Sequence, residues 1–162
     1  MEKSIDRAIS LLGTPSGYEK YESIKIQPVK GGCCCFHCWP GTWKAFNEHI
    51  LPFGPLEDEG DVLIKKGDEK FVLECHESGP EIVYYIGLGT ASILLIKSVI
   101  ELIVALLKYL EKDKAKTLGS LKIIRRRIIK GKANEEQVIE INLPLSELTI
   151  KKLNDEFQDK QA

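Results

Sequence analysis

Apolar residues recur at helical spacing in three parts of the chain. Near the amino end the period runs from Ile5 to Leu12, and Gly13 marks a stop. The longest such run predicts a helix over residues 90–112. A final amphipathic helix is predicted after Ser146, whose hydroxyl suits a helix cap.

Elsewhere short apolar runs are typical of strands. The strand-like segments after residue 60 are 61–66, 69–77, 81–89, 120–131 and 137–143. Gly67 and Asp68 join the first two as a hairpin, and the third fits either a strand or the approach to the long helix. The polar stretch "KGKANEE" joins the last two. This order predicts a two-layer α+β fold, in which an antiparallel sheet of two hairpins packs on one long apolar helix.

The chain is less regular before residue 60, since five of the seven prolines in the sequence lie there. "SIKIQPV" predicts a short strand, and Pro28 indicates that this strand lies at an edge. "TWKAFNEHIL" predicts a short helix with Thr42 as its cap. We therefore divide the chain into an irregular amino-terminal region, 1–58, and an α+β domain, 59–162.

Residues 82–110 are apolar enough to raise the question of a membrane span, which needs about 20 apolar residues. Lys97 and Glu101 fall inside every 20-residue window centred on this segment, and a Lys at mid-membrane costs about 2.5–3.5 kcal/mol. Together with Lys108 they form one polar stripe, as in a helix buried against a sheet. We expect the helix in this segment to lie in the core of the protein. The alternative is that the segment contacts a membrane and that the protein is a membrane-associated effector.

The overall composition is typical of a soluble globular protein, with 43% hydrophobic and 29% charged residues. The first ten residues carry charges where a secretion signal has its apolar stretch. The five cysteines are an odd number, and four of them lie too close together to pair with one another. We therefore expect a reducing, cytoplasmic location.

The segment "CCCFHC", residues 33–38, contains those four cysteines. Cys35 and Cys38 have the spacing at which two thiolates hold a tetrahedral zinc ion. The candidates for the two further ligands are His37, His49, Cys75 and His76, of which we assign Cys75 and His76. A second such pair is missing from the sequence, so the usual zinc-finger pattern is incomplete. A packing loop without a cofactor, in which cysteine acts as a small hydrophobe, accounts for the same residues. If the metal site exists, the alternative function is a small zinc- or cysteine-dependent enzyme.

Positive charge is concentrated in residues 108–132, which contain ten Lys or Arg and only two acidic residues. This segment carries +8, which leaves −9 on the rest of a chain whose net charge is −1. On a pleated strand Arg125 and Arg127 point to one face and Arg126 points to the other. Lys130 and Lys132 follow in the predicted loop. These cations suit an acidic protein or a phosphate, so nucleic acid is an alternative partner. Ion pairs with Glu140 or with the acidic carboxy-terminal helix account for the same charges.

Three stretches carry a resemblance to a known family. They are "GLGTASILLIKSVIELIVALLKYLEK", "LKIIRRRIIKG" and "QVIEINLPLSELTIKKLNDEF", within residues 82–157. In element order they resemble the effector-associated constant component family of bacterial conflict systems. The resemblance implies a short α+β protein, a non-catalytic accessory that accompanies an effector in antiviral defence. The "CCCFHC" segment has no counterpart in that pattern, and the pattern supplies no site residue.

These observations together predict a non-enzymatic interaction module in a multiprotein bacterial assembly. Arginine and aromatic side chains carry interface energy more often than other residues. The predicted partner-binding residues are therefore the cations of the fifth strand and its loop and two tryptophans: Arg125, Arg126, Arg127, Lys130, Lys132, Trp39 and Trp43.

Overall fold

The computed structural model describes residues 3–13, 20–29, 38–49, 61–66, 69–76, 79–85, 90–112, 120–129 and 132–158. Within these ranges lie four helices and six strands. In chain order they are α1 (Lys3–Leu12), β1 (Lys20–Pro28), α2 (Pro40–His49), β2 (Asp61–Lys66), β3 (Glu69–His76), β4 (Gly79–Tyr85), α3 (Thr90–Lys112), β5 (Ser120–Ile129), β6 (Lys132–Asn142) and α4 (Glu147–Gln158).

The six strands form one antiparallel sheet in the order β2-β3-β4-β1-β5-β6. The α+β class and both predicted hairpins, β2–β3 and β5–β6, are confirmed, and the segment after Pro80 is a strand. The predicted polar loop before β6 is wrong over most of its length, because β6 already begins at Lys132. Hydrogen bonds to β5 extend the strand through residues whose polarity alone indicates a loop.

Strand β1 lies between β4 and β5, so the prediction of an edge strand is wrong. Its pairing with β5 extends to Pro28, whereas its pairing with β4 ends at Lys25. The proline therefore lies where one neighbouring ladder has already ended, and a residue that lacks an N–H is tolerated there.

The amino-terminal region contains the helix, the strand and the second helix that the sequence predicts there, α1, β1 and α2. Because β1 hydrogen-bonds to β4 and β5, part of this region completes the sheet of the later segment. A fragment that begins at residue 59 would lack the strand between β4 and β5. The division at residue 58 itself stays a prediction.

Two apolar clusters lie on opposite faces of the sheet. The first, on what we call the α3 face, combines buried residues of α2, α3 and α4 with sheet residues such as Ile24 and Phe71. The second, on the α1 face, combines Ile5, Ala8 and Leu12 of α1 with Tyr21, Val72, Val83 and Ile128 of the sheet. Because successive side chains of a strand point to opposite faces, the sheet contributes to two separate apolar cores.

Two predicted helix ends are confirmed. Helix α1 ends before Gly13, which has a φ of 58° and donates its amide hydrogen to the carbonyl of Ile9 over 3.2 Å. The hydroxyl of Ser146 accepts the amide hydrogen of Thr149 over 3.2 Å at the start of α4.

The predicted cap of α2 is wrong. The helix begins at Pro40, a residue favoured in the first turn, and the amide of Trp43 donates to the carbonyl of Trp39. Thr42 therefore lies inside the helix, and its hydroxyl donates to the carbonyl of Tyr109 over 3.3 Å. This bond ties α2 to α3.

Residues 82–110 do not form one helix, because β4 continues to Tyr85 and α3 begins at Thr90. Within the described part of the chain, no helix combines the length and the apolarity that a bilayer crossing requires.

Candidate functional site

The predicted metal ligands are only partly described. Cys35 lies outside the described residues, and of Cys75 and His76 only the backbone, at the end of β3, is described. Cys38 is exposed just before α2. No group of three or more His, Cys, Asp or Glu among the described residues is arranged to hold a metal ion. The zinc site stays a prediction.

Arg125 of β5 points into the core on the α3 face rather than into solvent. Its Nη2 donates to Oε1 of Glu22 in β1 over 2.9 Å, and its Nε donates to Oε2 over 3.1 Å. Only 7% of the Arg125 side chain and 3% of the Glu22 side chain are exposed. The two charges therefore form a forked, buried ion pair, a geometry that suits guanidinium and carboxylate.

Two further groups complete what we call the Glu22 network. Tyr84, directly opposite Glu22 on β4, donates its hydroxyl hydrogen to Oε2 of Glu22. Arg125 donates from Nη1 to the carbonyl of Phe157 over 3.3 Å, and its guanidinium carbon lies 5.6 Å from the centre of the Phe157 ring. The network thus joins β1, β4 and β5 to the end of α4.

The environment of Tyr84 keeps its hydroxyl protonated. Complete burial raises the pKa of Tyr84 well above its usual range, and the neighbouring carboxylate of Glu22 raises it further. A protonated hydroxyl is the state that can donate to Glu22, so the network is held together by donors that converge on one carboxylate.

Arg126 points to the opposite face and pairs there. Its Nη2 forms an ion pair with Oε1 of Glu81, and its Nε donates to the hydroxyl of Ser23 over 3.3 Å. Glu81 is buried, and only 13% of the Arg126 side chain is exposed. The second of the three arginines is therefore also engaged inside the protein.

Three carboxyl groups lie side by side across β2, β3 and β4 on the α1 face. Asp61 is directly opposite Glu74, and Glu74 is directly opposite Glu81. We call these three residues the carboxylate row. Arg7 of α1 reaches its outer end, with Nε 3.1 Å from Oδ2 of Asp61. At the inner end Arg126 holds Glu81.

The middle member of the row has an altered acidity. Burial raises the pKa of Glu74 to about 7, and the charges of Asp61 and Glu81 add to this effect, while Arg7 and Lys25 oppose it. Only 2% of Glu74 is exposed. Near neutral pH this carboxyl therefore exists in both protonation states.

The remaining predicted partner-binding residues differ in exposure. Trp43 is buried, with 1% exposed, and Trp39 packs against the same apolar cluster. Arg127 is half-buried on β5, and Lys132 is exposed at the start of β6. Lys130 lies outside the described residues. Arg125 and Trp43 are thus buried and Arg126 is mostly covered, and the role of the predicted residues in partner binding stays a prediction.

A groove between α3 and α4 has a volume of about 560 Å³. Its lining combines one face of α3 with two residues of α4: Lys97, Ile100, Glu101, Val104, Ala105, Lys108, Tyr109, Ile150 and Asn154. We call it the α3–α4 groove. The lining positions on α3 recur every three or four residues, so they form one stripe along the helix.

The α3–α4 groove has an apolar floor and a charged rim. Ile100 is buried, and Val104, Ala105 and Ile150 are half-buried. Lys97, Glu101 and Lys108, which the sequence marks as a polar stripe, are exposed along the rim. The stripe was visible in the sequence, but the second wall of the groove depends on where α4 packs.

Comparison with known proteins gives no family for this chain. No family model, curated protein or solved structure matches it. The resemblance to a component of bacterial conflict systems therefore stays a prediction.

Proposed function

We propose that the protein is a non-enzymatic interaction module, an accessory subunit of a multiprotein bacterial assembly, and that it holds a partner protein in the α3–α4 groove. The observation that carries the proposal is the groove itself. It is open, its floor is formed by Ile100, Val104 and Ile150, and charged side chains surround that floor. An apolar recess with a charged rim is typical of surfaces that receive a segment of another protein.

The buried charges support a structural rather than a catalytic role for the arginines. Arg125 is engaged by Glu22 and Phe157, and Arg126 by Glu81 and Ser23. Each of these contacts joins two strands or a strand and a helix. The charged residues that stand out most in the sequence are thus engaged in holding the fold together.

The biological setting follows from the family resemblance. We propose a cytoplasmic accessory that accompanies an effector, with antiviral defence as the process that it serves. The groove supports this proposal, because an accessory subunit needs a surface on which its partner docks.

The test is a tagged purification from the native host, with mass spectrometry of proteins that co-elute in stoichiometric amount. Val104→Glu places a charge on the floor of the groove, and Leu148→Glu is the matched control, since Leu148 lies on α4 outside the lining and is 80% exposed. We expect one defined partner with the wild type and with Leu148→Glu, and its loss with Val104→Glu. Circular dichroism must show that both variants are folded.

A partner that all three proteins retain would place the docking surface elsewhere. A wild-type protein that elutes without any stoichiometric partner would contradict the proposed function.

A further inference from the structure

We infer that the occupant of the α3–α4 groove is an amphipathic helix of about three turns that carries carboxylates at both ends of its docking face and a cation between them. This inference rests on the proposed function and specifies the chemistry of the partner. It depends on the length of the groove, on its apolar floor and on the order of charges along its rim.

The length of the groove matches a short helix. Its lining on α3 extends from Lys97 to Tyr109, which is about 18 Å at 1.5 Å per residue. The two walls are helices, and Ala105 on the floor has a small side chain that allows a third helix to approach closely. A guest helix of about twelve residues would fill this length.

The apolar floor sets the pattern of the guest. Ile100 and Val104 lie one turn apart on α3, and Ile150 faces them from α4. A helix that buries apolar residues at positions i, i+3 or i+4, and i+7 presents a stripe of the required width and spacing. Such a stripe would cover the half-buried part of the floor.

The rim carries charges in the order positive, negative, positive. Lys97 and Lys108 are eleven residues apart, or about 16 Å along α3, and Glu101 lies between them, one turn from Lys97. A carboxylate opposite each lysine would be attracted, whereas a carboxylate opposite Glu101 would be repelled. The complementary order on the guest is therefore negative, positive, negative.

This order distinguishes the inferred partner from a generally acidic one. A uniformly acidic peptide or a nucleic acid brings negative charge to Glu101 as well as to the lysines. The rim of the groove thus selects a pattern of charge rather than a total charge.

The experiment uses two synthetic helical peptides of about fifteen residues with the same apolar positions. The matched peptide carries Glu opposite Lys97 and Lys108 and Lys opposite Glu101, and the reversed peptide has each of these signs inverted. Binding is measured by fluorescence polarisation with the full-length protein. We expect the matched peptide to bind the wild type on the order of tenfold more tightly than the reversed peptide does, and the difference to shrink at high salt.

Two double variants sharpen the test. Lys97→Glu/Lys108→Glu should lose the preference for the matched peptide and favour the reversed one. Lys44→Glu/Lys65→Glu changes the net charge equally at exposed positions of α2 and β2 outside the groove, and it should keep the wild-type preference.

Failure of the inference differs from failure of the proposed function. If neither peptide binds, or both bind equally, while the native partner is still captured through Val104, the partner is not a helix of this pattern and the function stands. Concentration-dependent self-association that the Lys97→Glu/Lys108→Glu variant abolishes would identify a second copy of the chain as the occupant and overturn the inference.

Discussion

The two faces of the sheet bury charged side chains in different ways. On the α3 face, donors from Arg125 and Tyr84 converge on the single carboxylate of Glu22. On the α1 face, the carboxylate row brings three acids together, with Arg7 and Arg126 at its two ends. On the α3 face, hydrogen-bond donors therefore compensate the buried carboxylate of Glu22. The carboxylate row buries its middle member, Glu74, between two like charges; burial, with a further contribution from Asp61 and Glu81, raises the pKa of Glu74 to about 7.

The two groups of charges contribute differently to the stability of the fold. The Glu22 network joins three strands to the end of α4, so its loss should affect the whole fold. Ionised Glu74 opposes folding, so removal of this one charge from the carboxylate row should stabilise the protein above neutral pH. Four predictions, one of them with a control substitution in the same row, test these expectations in order of decreasing effect.

The largest effect is expected for Arg125→Met. This change leaves Glu22 buried without its counter-charge, and removal of one partner of a buried pair costs about 3–5 kcal/mol. The free energy of unfolding, measured by urea denaturation, should fall by this amount. The double variant Glu22→Gln/Arg125→Met should recover part of the loss. A loss below about 1 kcal/mol for the single variant would show that the network does not hold the fold.

The next effect has the opposite sign and concerns Glu74→Gln. In the folded state the pKa of Glu74 is about 7, against 4.5 ordinarily, so the folded protein keeps a proton that the unfolded chain releases. The free energy of unfolding of the wild type should therefore fall as the pH rises from about 4.5 to about 7, and stay low above that. Glu74→Gln should be more stable than the wild type by about 3 kcal/mol at high pH, and the gain should vanish in acid.

The matched control for Glu74→Gln is Glu81→Gln in the same row. Because Glu81 is paired with Arg126, this change should destabilise the protein. If the two variants change stability in the same direction at all pH values, the contrast between the middle and the end of the row is wrong.

A smaller effect is expected for Tyr84→Phe. The change removes one hydrogen bond to a charged acceptor in the core, which should lower the free energy of unfolding by about 1.5 kcal/mol. Since the pKa of Tyr84 is raised, the folded wild type keeps the phenolic proton after the unfolded chain has lost it. The stability of the wild type should fall above about pH 10, and Tyr84→Phe should lack this part of the fall. Identical alkaline profiles for the two proteins would contradict the burial of Tyr84.

The smallest effect is expected for Arg7→Ala. Half of the Arg7 side chain is exposed, so its ion pair with Asp61 is screened and should contribute less than about 1 kcal/mol. The difference from the wild type should decrease in high salt. A loss as large as that of Arg125→Met would mean that both faces depend equally on their ion pairs.

The carboxylate row was within reach of sequence reasoning. Only two residues separate β2 from β3, and only two separate β3 from β4. Such short connections fix the register, which places Asp61 opposite Glu74 and Glu74 opposite Glu81. The register across these two short connections is therefore sufficient to predict the row.

The Glu22 network was beyond such reasoning. Glu22 and Arg125 are 103 residues apart in the chain, and they meet because β1 inserts between β4 and β5. Hydrophobic patterning predicts that β1 is a strand but does not determine its neighbours. The burial of Arg125 against Glu22 therefore cannot be predicted from the spacing of the three arginines.

The α3–α4 groove can be predicted from the sequence only in part. The stripe of Lys97, Glu101 and Lys108 follows from helical spacing alone. Its partner wall, Ile150 and Asn154, follows from the packing of α4, which the Glu22 network ties to the sheet through Phe157. Local spacing thus predicts one side of the site, and tertiary structure supplies the other.

Site-specific photo-crosslinking in the native host tests the central claim most directly. A photoreactive phenylalanine analogue is placed at Lys108, on the rim of the α3–α4 groove, and in a second strain at Leu148, outside it. We predict that irradiation yields one protein adduct from position 108 and none from position 148, with the same partner that co-purifies with the wild type. An adduct to that partner from position 148 alone would show that the partner docks elsewhere and would contradict the account.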